Sequence, residues 1–154
     1  MFAFTYNSSS VKLAYKIEVP LLIQLPKELT EVPISLGDHL RRRRLELGLY
    51  QKNVASRLGV TTSTIINWEK SSRVTFRYLP GVISFLGYNP IPLPDDLMEK
   101  LAWYKQVNGL TFEQLGAQMS RDPEQLADWL SGRCYPCRRN REKIDFFLRE
   151  RLPM

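Results

Sequence analysis

The stretch that decides the fold runs from residue 51 to residue 70 and reads QKNVASRLGVTTSTIINWEK. In its first half, Val54, Ala55 and Leu58 recur at spacings of three and four residues, which predicts one apolar face of a short helix. Gly59 follows directly and readily takes the left-handed conformation that ends a helix. The first half of the stretch therefore predicts a short helix and a tight turn.

The second half of the stretch predicts another short helix. Thr61 or Thr62 can cap its first turn, and the apolar residues Ile65, Ile66 and Trp68 follow at helical positions. A short helix, a glycine-containing turn and a second short helix make the helix-turn-helix arrangement. In that arrangement the second helix lies at an angle that lets its N-terminal side chains enter the major groove of DNA.

Two further helices are predicted around this pair. Leu36 and Leu40 indicate a preceding helix that ends at Gly48. A following helix is predicted over residues 78–87, with Pro80 in its first turn. Its buried face is expected to carry Val82, Ile83, Phe85 and Leu86. The four helices together predict one compact helical unit.

The chain repeats this pattern in its second half. Sliding the sequence along itself by one constant offset superposes Leu36 on Leu97, Leu40 on Leu101, Gly48 on Gly109, Trp68 on Trp129, Ile83 on Ile144 and Phe85 on Phe146. Because the shared positions are mainly apolar, Gly or Trp, they describe a shared core and shared turns. Trp68 and Trp129 are therefore expected to be structural core residues rather than platforms for base stacking.

These units divide the chain into four predicted segments. An N-terminal extension covers residues 1–33, the first unit 34–88, a Pro-rich linker 89–96 and the second unit 97–154. Three prolines make the linker stiff and extended. Within the extension, residues 11–25 alternate partly between apolar and polar, which leaves open a short strand, an arm that pairs between subunits, or a disordered tail.

The positive charge of the chain is concentrated in the first unit. The formal net charge is +6; residues 36–87 hold nine lysines and arginines against three acids, whereas residues 97–153 hold ten against eight. Such a basic segment permits binding to a polyanion. The four successive arginines at 41–44 point around most of a helix and cannot all meet one phosphate strand, so a solvated basic face is expected for the first three.

Composition argues against several other classes of protein. Two cysteines, Cys134 and Cys137, and one histidine, His39, are too few for a disulfide framework or an ordinary zinc site, so no metal or cofactor is expected. Ordinary loop cysteines are favoured over an intermolecular zinc site or a redox switch, and His39 is expected to be a surface or capping residue. No catalytic motif occurs, so the chain is not expected to be an enzyme. Without a spanning apolar stretch or a secretion signal, a cytoplasmic protein with no membrane partner is expected.

A pattern of residues in the first unit resembles a known family. The pattern comprises Leu36-Gly37-Asp38-His39-Leu40-Arg41, Arg44, Gly48-Leu49-Tyr50-Gln51, Val54-Ala55, Leu58-Gly59-Val60, Ser63-Thr64-Ile65, Trp68-Glu69 and Leu79-Pro80. It resembles the XRE/Cro family of phage-repressor-like regulators, and the second unit resembles that family more loosely. The resemblance implies an all-α fold of two tandem helix-turn-helix units of the lambda-repressor type, of which the first binds double-stranded DNA.

The resemblance also implies roles for individual residues. The base-reading residues would be Thr62, Ser63, Asn67 and Ile66. The contacts to the DNA backbone would come from Gln51, Thr61, Lys70, Arg44 and Arg73. Arg44 would also pair with Glu69 and lock the first helix to the third. Elementary chemistry agrees, because Asn can bond bidentately to adenine and Thr methyl groups pack on thymine methyl groups; Ile66 would contact a thymine methyl or be partly buried.

The second unit departs from this pattern at the positions that would read DNA. It has Pro123, Glu124 and Asp128 where the first unit has Thr62, Ser63 and Asn67, and Phe112 replaces Gln51. Phosphates repel carboxylates, although Asp and Glu can accept a hydrogen bond from cytosine. We expect this unit to serve packing or dimerisation. The alternative is an auxiliary DNA contact through Arg133, Arg138, Arg139 and Arg141.

The sequence thus predicts a DNA-binding transcriptional regulator that reads the major groove with the helix at residues 62–70. Repression by promoter occlusion is the default outcome, and activation is equally compatible with the residues. The alternative from another class is an antitoxin-like or adaptor module that uses the same helical unit to hold a protein partner. A homodimer through the second unit or the N-terminal extension is compatible with either hypothesis.

Overall fold

A computed structural model describes residues 32–71 and 73–152. Within these ranges the chain forms eight α-helices and one short 3-10 helix, without a strand. The predicted all-α fold is therefore confirmed for the described residues. The β segment expected within residues 11–25 lies outside them.

The first four helices form around the stretch at residues 51–70. They are α1 (Leu36–Glu46), α2 (Gln51–Leu58), α3 (Thr62–Ser71) and α4 (Leu79–Leu86), with the 3-10 helix Phe76–Tyr78 leading into α4. Gly59 ends α2 with φ 65°, and the Thr61 hydroxyl accepts a hydrogen bond from the Thr64 backbone N–H at 3.2 Å. Of the two capping threonines predicted, Thr61 therefore caps α3.

The remaining helices follow with the same spacing. They are α5 (Leu97–Val107), α6 (Phe112–Met119), α7 (Pro123–Leu130) and α8 (Arg138–Arg149). The offset that relates Leu36 to Leu97 also relates α1 to α5 and α2 to α6 at both ends of each helix. It relates the start of α3 to the start of α7 as well. Side-chain caps begin α5 and α7: Asp96 accepts from the N–H groups of Met98 and Glu99, and Asp122 from those of Glu124 and Gln125. The bonds from Glu99 and Met98 lower the pKa of Asp96.

Each group of four helices surrounds its own hydrophobic cluster. The first cluster contains Leu40, Val54, Ala55, Ile65, Trp68, Val82 and Leu86. The second contains Leu101, Tyr104, Leu115, Leu126, Trp129, Ile144, Phe147 and Leu148. Trp68 is 4% exposed and Trp129 is 5% exposed, so both indole rings are core residues.

The register of the last helix corrects one part of the predicted repeat. The pairings of Ile83 with Ile144 and of Phe85 with Phe146 are wrong. Ile144 is 1% exposed whereas Ile83 is only half-buried, and Phe146 is 64% exposed whereas Phe85 packs against the first cluster. The buried residues Val82 and Leu86 correspond instead to Ile144 and Leu148, one position beyond the offset of the rest of the repeat. The second group therefore has one more residue than the first between its tryptophan and the core of its last helix. The correspondence between α4 and α8 follows which residues are buried, and not which residue types are shared.

A set of contacts joins the two helical groups. The Lys105 ammonium lies 4.2 Å from the Phe112 ring centroid and 5.1 Å from that of Phe76, which belongs to the first group. At Gly109, a Cβ atom would lie 3.1 Å from both the Phe76 carbonyl oxygen and the Pro80 ring. The absence of a side chain at Gly109 thus lets α5 approach the start of α4.

The chain between α4 and α5 is also anchored to both groups. The Ile91 carbonyl, in the predicted linker, accepts a hydrogen bond from the Trp103 indole N–H of α5 at 3.2 Å. Just before the linker, the hydroxyl of Tyr88 and Nδ1 of His39 in α1 are 2.7 Å apart and hydrogen-bonded. This segment is therefore held by one side-chain contact to each group.

We predict that Gly109→Ala destabilises the protein more than Gly48→Ala. The two glycines have nearly the same backbone angle, φ 62° and 63°, but Gly48 has nothing within 4 Å of its added Cβ. Both variants should lose about 1 kcal/mol from the left-handed conformation, and Gly109→Ala should lose at least about 1 kcal/mol more from the crowded junction. Urea unfolding measures both losses, and equal values would show that the junction is not a tight contact.

We predict that acid weakens the fold through His39. Partial burial lowers the pKa of His39 below its ordinary value of 6.5, so the folded state disfavours the protonated ring. The contribution of His39 to the free energy of unfolding should be fully present above about pH 6.5. It should be lost as the pH falls from 6.5 through the folded-state pKa. The melting temperature should therefore be lower at about pH 5.5 than at about pH 7.5, and His39→Gln should remove most of this difference. An unchanged difference in that variant would assign the effect to other groups.

Candidate nucleic-acid interface

One carboxylate connects the first three helices. Glu69 of α3 accepts two hydrogen bonds from Arg44 of α1, at 2.7 and 2.9 Å, and one from the Gln51 amide of α2, at 2.9 Å. The side chain of Glu69 is 4% exposed and that of Arg44 is 11% exposed. The structure therefore contains the predicted Arg44–Glu69 pair, and it adds Gln51 to it. We call these three residues the latch.

The latch leaves hydrogen-bond donors for other partners. Arg44 has five N–H groups, and its three hydrogen bonds engage Glu69 and the Leu49 carbonyl. Gln51 has two amide N–H groups, of which Glu69 takes one. Both side chains can thus orient α3 and still donate to an anion at the surface.

The latch presents the N-terminal half of α3 to solvent. Thr62, Ser63 and Asn67 are exposed, and Ile66 is half-buried. Within residues 32–71 and 73–152, no hydrogen bond involves the side chains of Thr62, Ser63 or Asn67. The predicted reading residues therefore lie on one helix with their polar groups unengaged, which is the arrangement that a groove-reading helix requires.

The predicted backbone-contacting residues lie around this helix. Thr61 is exposed although its hydroxyl caps α3 and also bonds to the Thr64 hydroxyl at 2.8 Å. Lys70 is exposed at the far end of α3, and Arg73 is exposed just beyond that helix. Neither forms an ion pair with any side chain in the described part of the molecule. Both cations are therefore available to phosphates.

A concavity lies where the N-termini of α2 and α3 meet. It has a volume of about 340 Å³ and is lined by Tyr50, Gln51, Lys52 and Thr62. Helix N-termini carry partial positive charge and unpaired N–H groups, so they attract anions. The structure thus brings two predicted residues, Gln51 and Thr62, together with a cation, Lys52, that sequence reasoning missed. The signal for Lys52 was its place in the first turn of α2.

The run of arginines in α1 does not act as one surface. Arg44 belongs to the latch, whereas Arg42 and Arg43 pair with Glu46 at 3.1 and 3.5 Å. Those two pairs are partly exposed and contribute little stability. The run therefore adds positive field around α1, and Arg44 serves in the latch.

The second group of helices lacks the latch. At the positions that correspond to Arg44, Gln51 and Glu69 it has Lys105, Phe112 and Leu130. Lys105 has no carboxylate there to pair with, and its ammonium lies over the rings of Phe112 and Phe76 instead. The lysine that replaces Arg44 thus contacts the first group of helices.

The exposed face of α7 is acidic rather than neutral. Glu124 is exposed, and Asp128 forms an ion pair with Arg133 at 2.9 Å. These residues correspond to Ser63 and Asn67 of α3. This face therefore differs in charge from that of α3.

Metal-ligating side chains do not cluster in the described part of the chain. Among those residues, no three His, Cys, Asp or Glu side chains come together as a metal site. The thiols of Cys134 and Cys137 are exposed and not bonded to each other. Across residues 32–71 and 73–152, every helix is too short or too polar to span a bilayer.

Comparison with known proteins addresses the first group of helices. Residues 40–93 match a family model described as helix-turn-helix, which covers about a third of the chain. The match begins within α1 and ends before α5, so it agrees with the XRE/Cro resemblance of the first unit and does not test that of the second. No curated protein and no solved structure matched the chain.

We predict that the latch carries much of the stability of the first unit. Glu69→Ala would leave the Arg44 guanidinium nearly buried without its partner, a change that typically lowers the free energy of unfolding by about 3 kcal/mol. The control is Arg133→Ala, which breaks the exposed pair with Asp128 and should lose less than about 1 kcal/mol. Urea unfolding of both variants measures the contrast. A loss of similar size in the two would mean that the latch does not stabilise the fold.

Proposed function

We propose that this protein is a sequence-specific transcriptional regulator that binds double-stranded DNA through α3. The observation that carries the proposal is the exposed, unengaged polar face of α3, which the buried latch fixes beside the N-termini of two helices. The helix-turn-helix match over residues 40–93 supports it. A cytoplasmic location and repression by promoter occlusion belong to the same proposal.

Phosphate contacts would set the register of the protein on the duplex. The second amide N–H of Gln51, the Lys52 ammonium and the N-terminus of α3 would bind one phosphate in the concavity between α2 and α3. Lys70 and Arg73 would reach the backbone beyond the other end of α3, with Thr61 and Arg44 assisting from the latch side. Because these contacts release counterions, affinity would fall steeply with salt.

Base contacts would give the specificity. The Asn67 amide can bond bidentately to adenine, and the methyl group of Thr62 can pack on a thymine methyl. Ser63 can donate to or accept from either type of base. Ile66 is half-buried and would add an apolar contact to thymine.

The second unit would act as a degenerate copy that no longer reads DNA. Its first three helices begin at the positions that the first unit predicts, and most buried positions correspond, whereas Phe112, Glu124 and Asp128 occupy the places of the DNA-contacting residues. Phe112 packs at the junction, and the two carboxylates would repel phosphates. We assign this unit to rigid support of the first unit and to protein contacts, including dimerisation.

The experiment that tests the proposal is selection of binding sites from random duplex DNA, with sequencing, at two salt concentrations. The full chain should enrich one motif, and Asn67→Ala should blur it at one position with a loss of about 1 to 3 kcal/mol in discrimination. The matched control is Asp128→Ala, the corresponding change in α7, which should leave the motif unchanged.

Two results would contradict the proposal. If neither the parent chain nor Asn67→Ala enriches a motif and retention simply disappears with salt, binding is non-specific and the adaptor or antitoxin-like alternative gains. If Asp128→Ala changes the motif and Asn67→Ala does not, α7 is the reading helix and the roles of the two units are reversed.

A further inference from the structure

A groove lies in the second unit, between α8 and the turn that joins α6 to α7. Its volume is about 490 Å³, and its lining includes the apolar side chains of Met119, Trp129 and Phe147. Phe146 also lines it and is 64% exposed. The groove therefore has an apolar floor and an exposed aromatic ring at its edge.

Three cations around this groove are unpaired within the described residues. Arg121, Arg139 and Lys143 line it, and in the part of the chain that the structure describes their side chains form no hydrogen bond or ion pair. The two acids in the lining form exposed ion pairs, Glu142 with Arg138 at 3.0 Å and Glu150 with Arg151 at 3.6 Å. The groove thus has an excess of positive charge beside its apolar floor.

The corresponding region of the first unit is filled. The Tyr78 ring packs on Trp68 with centroids 5.5 Å apart. A Cβ atom added to Gly81 would lie 3.5 Å from the side chain of Leu58. Val60 also packs against the first cluster. These apolar residues close the space next to the tryptophan.

Polar residues replace this packing in the second unit. In the alignment of the two units, Arg121 stands at the position of Val60. In the register that burial gives α8, Asn140 stands at the position of Tyr78, and both replacements line the groove. Trp129 makes no ring contact with another aromatic side chain among the described residues. The groove is open because two residues that close the first unit are here a cation and an amide.

We infer that the groove binds an acidic, amphipathic helical segment of a partner protein. Glutamates or aspartates on such a helix would pair with Arg121, Arg139 and Lys143, and its apolar residues would pack on Trp129 and Phe146. This inference goes beyond DNA binding and does not depend on it.

Two observations favour a protein segment over DNA as the occupant. A phosphate backbone makes no use of an exposed phenylalanine, whereas an amphipathic helix buries one. The groove also lies at the C-terminal end of α6, roughly 10 Å along that helix from Phe112 and the junction with the first unit. It is thus remote from the contacts that hold the DNA-binding unit in place.

A binding assay with the full chain tests the inference. The probe is a fluorescein-labelled helical peptide of about 16 residues, with leucines at i, i+4 and i+7 and glutamates at most other positions. Its fluorescence anisotropy should show saturable binding, and binding should shift the indole N–H signal of Trp129 in NMR spectra. Versions with Gln for Glu, or with Ser for Leu, should bind about tenfold more weakly or worse.

Variants of the chain locate the site. The double variant Arg139→Glu with Lys143→Glu should weaken binding by about tenfold or more, and Phe146→Ser should weaken it several-fold. The matched control is Arg141→Glu, which reverses an exposed charge on the same helix outside the groove and should change affinity by less than about twofold. All four substituted residues are exposed, so the variants should melt at the temperature of the parent.

Three results would overturn the inference. The first is the absence of saturable binding, and the second is equal binding by the groove variants and Arg141→Glu. The third is that the peptide does not bind the parent chain, and that the groove variants instead lose duplex DNA binding or self-association. That result would assign the groove to nucleic acid or to a second copy of the chain. A failure of motif selection by α3 would leave the peptide assay unaffected, so the two proposals can fail separately.

Discussion

The carboxylate of Glu69 determines how the first three helices meet. A charge with 4% exposure is strongly destabilising unless it is paired and hydrogen-bonded. Arg44 and Gln51 meet that requirement with three bonds, and each of the three residues comes from a different helix. Any tilt of α3 that separated Glu69 from its partners would leave a buried charge unpaired. The orientation of the exposed face of α3 therefore depends on this pairing, and apolar packing around Trp68 alone would restrain it less specifically.

The second group of helices has a similar frame without this constraint. Its first three helices begin at the same spacing, but Leu130 stands at the position of Glu69, and the Lys105 ammonium lies over the rings of Phe112 and Phe76. Cation–π contacts of this kind contribute roughly 0.5 to 2 kcal/mol, and here they join two units instead of three helices within one. Similar helices thus present a polar surface in the first group and form the junction between the two groups in the second. The difference lies in the side chains that the same fold carries.

The parts of the structure that could be predicted from sequence are those set by local chemistry. The bounds of α2 and the start of α3 follow from Gly59, a threonine cap and apolar spacing, all within a few residues. The Arg44–Glu69 pair of the latch came from a family resemblance, since nothing local shows that Arg44 meets Glu69, and the bond from Gln51 was not predicted. The register of α8 could not be predicted, because Ile144 and Phe146 are equally apolar and only tertiary packing decides which is buried. The contact of Lys105 with Phe76 and the groove beside Trp129 likewise depend on distant residues.

The number of base contacts limits the discrimination that α3 alone could supply. Each well-placed base contact discriminates by about 1 to 3 kcal/mol, so the three small polar readers proposed here, Thr62, Ser63 and Asn67, would together give about 3 to 9 kcal/mol. Specific regulators exceed their own non-specific binding by about 4 to 10 kcal/mol, so α3 alone would suffice only where these contacts lie above the lower end of their range. Weaker contacts would require further discrimination from a second chain on a neighbouring site or from a partner protein, because the acidic face of α7 would repel phosphates. The junction at Gly109 and Lys105 would then hold the second group of helices, and any contact it makes, close to α3.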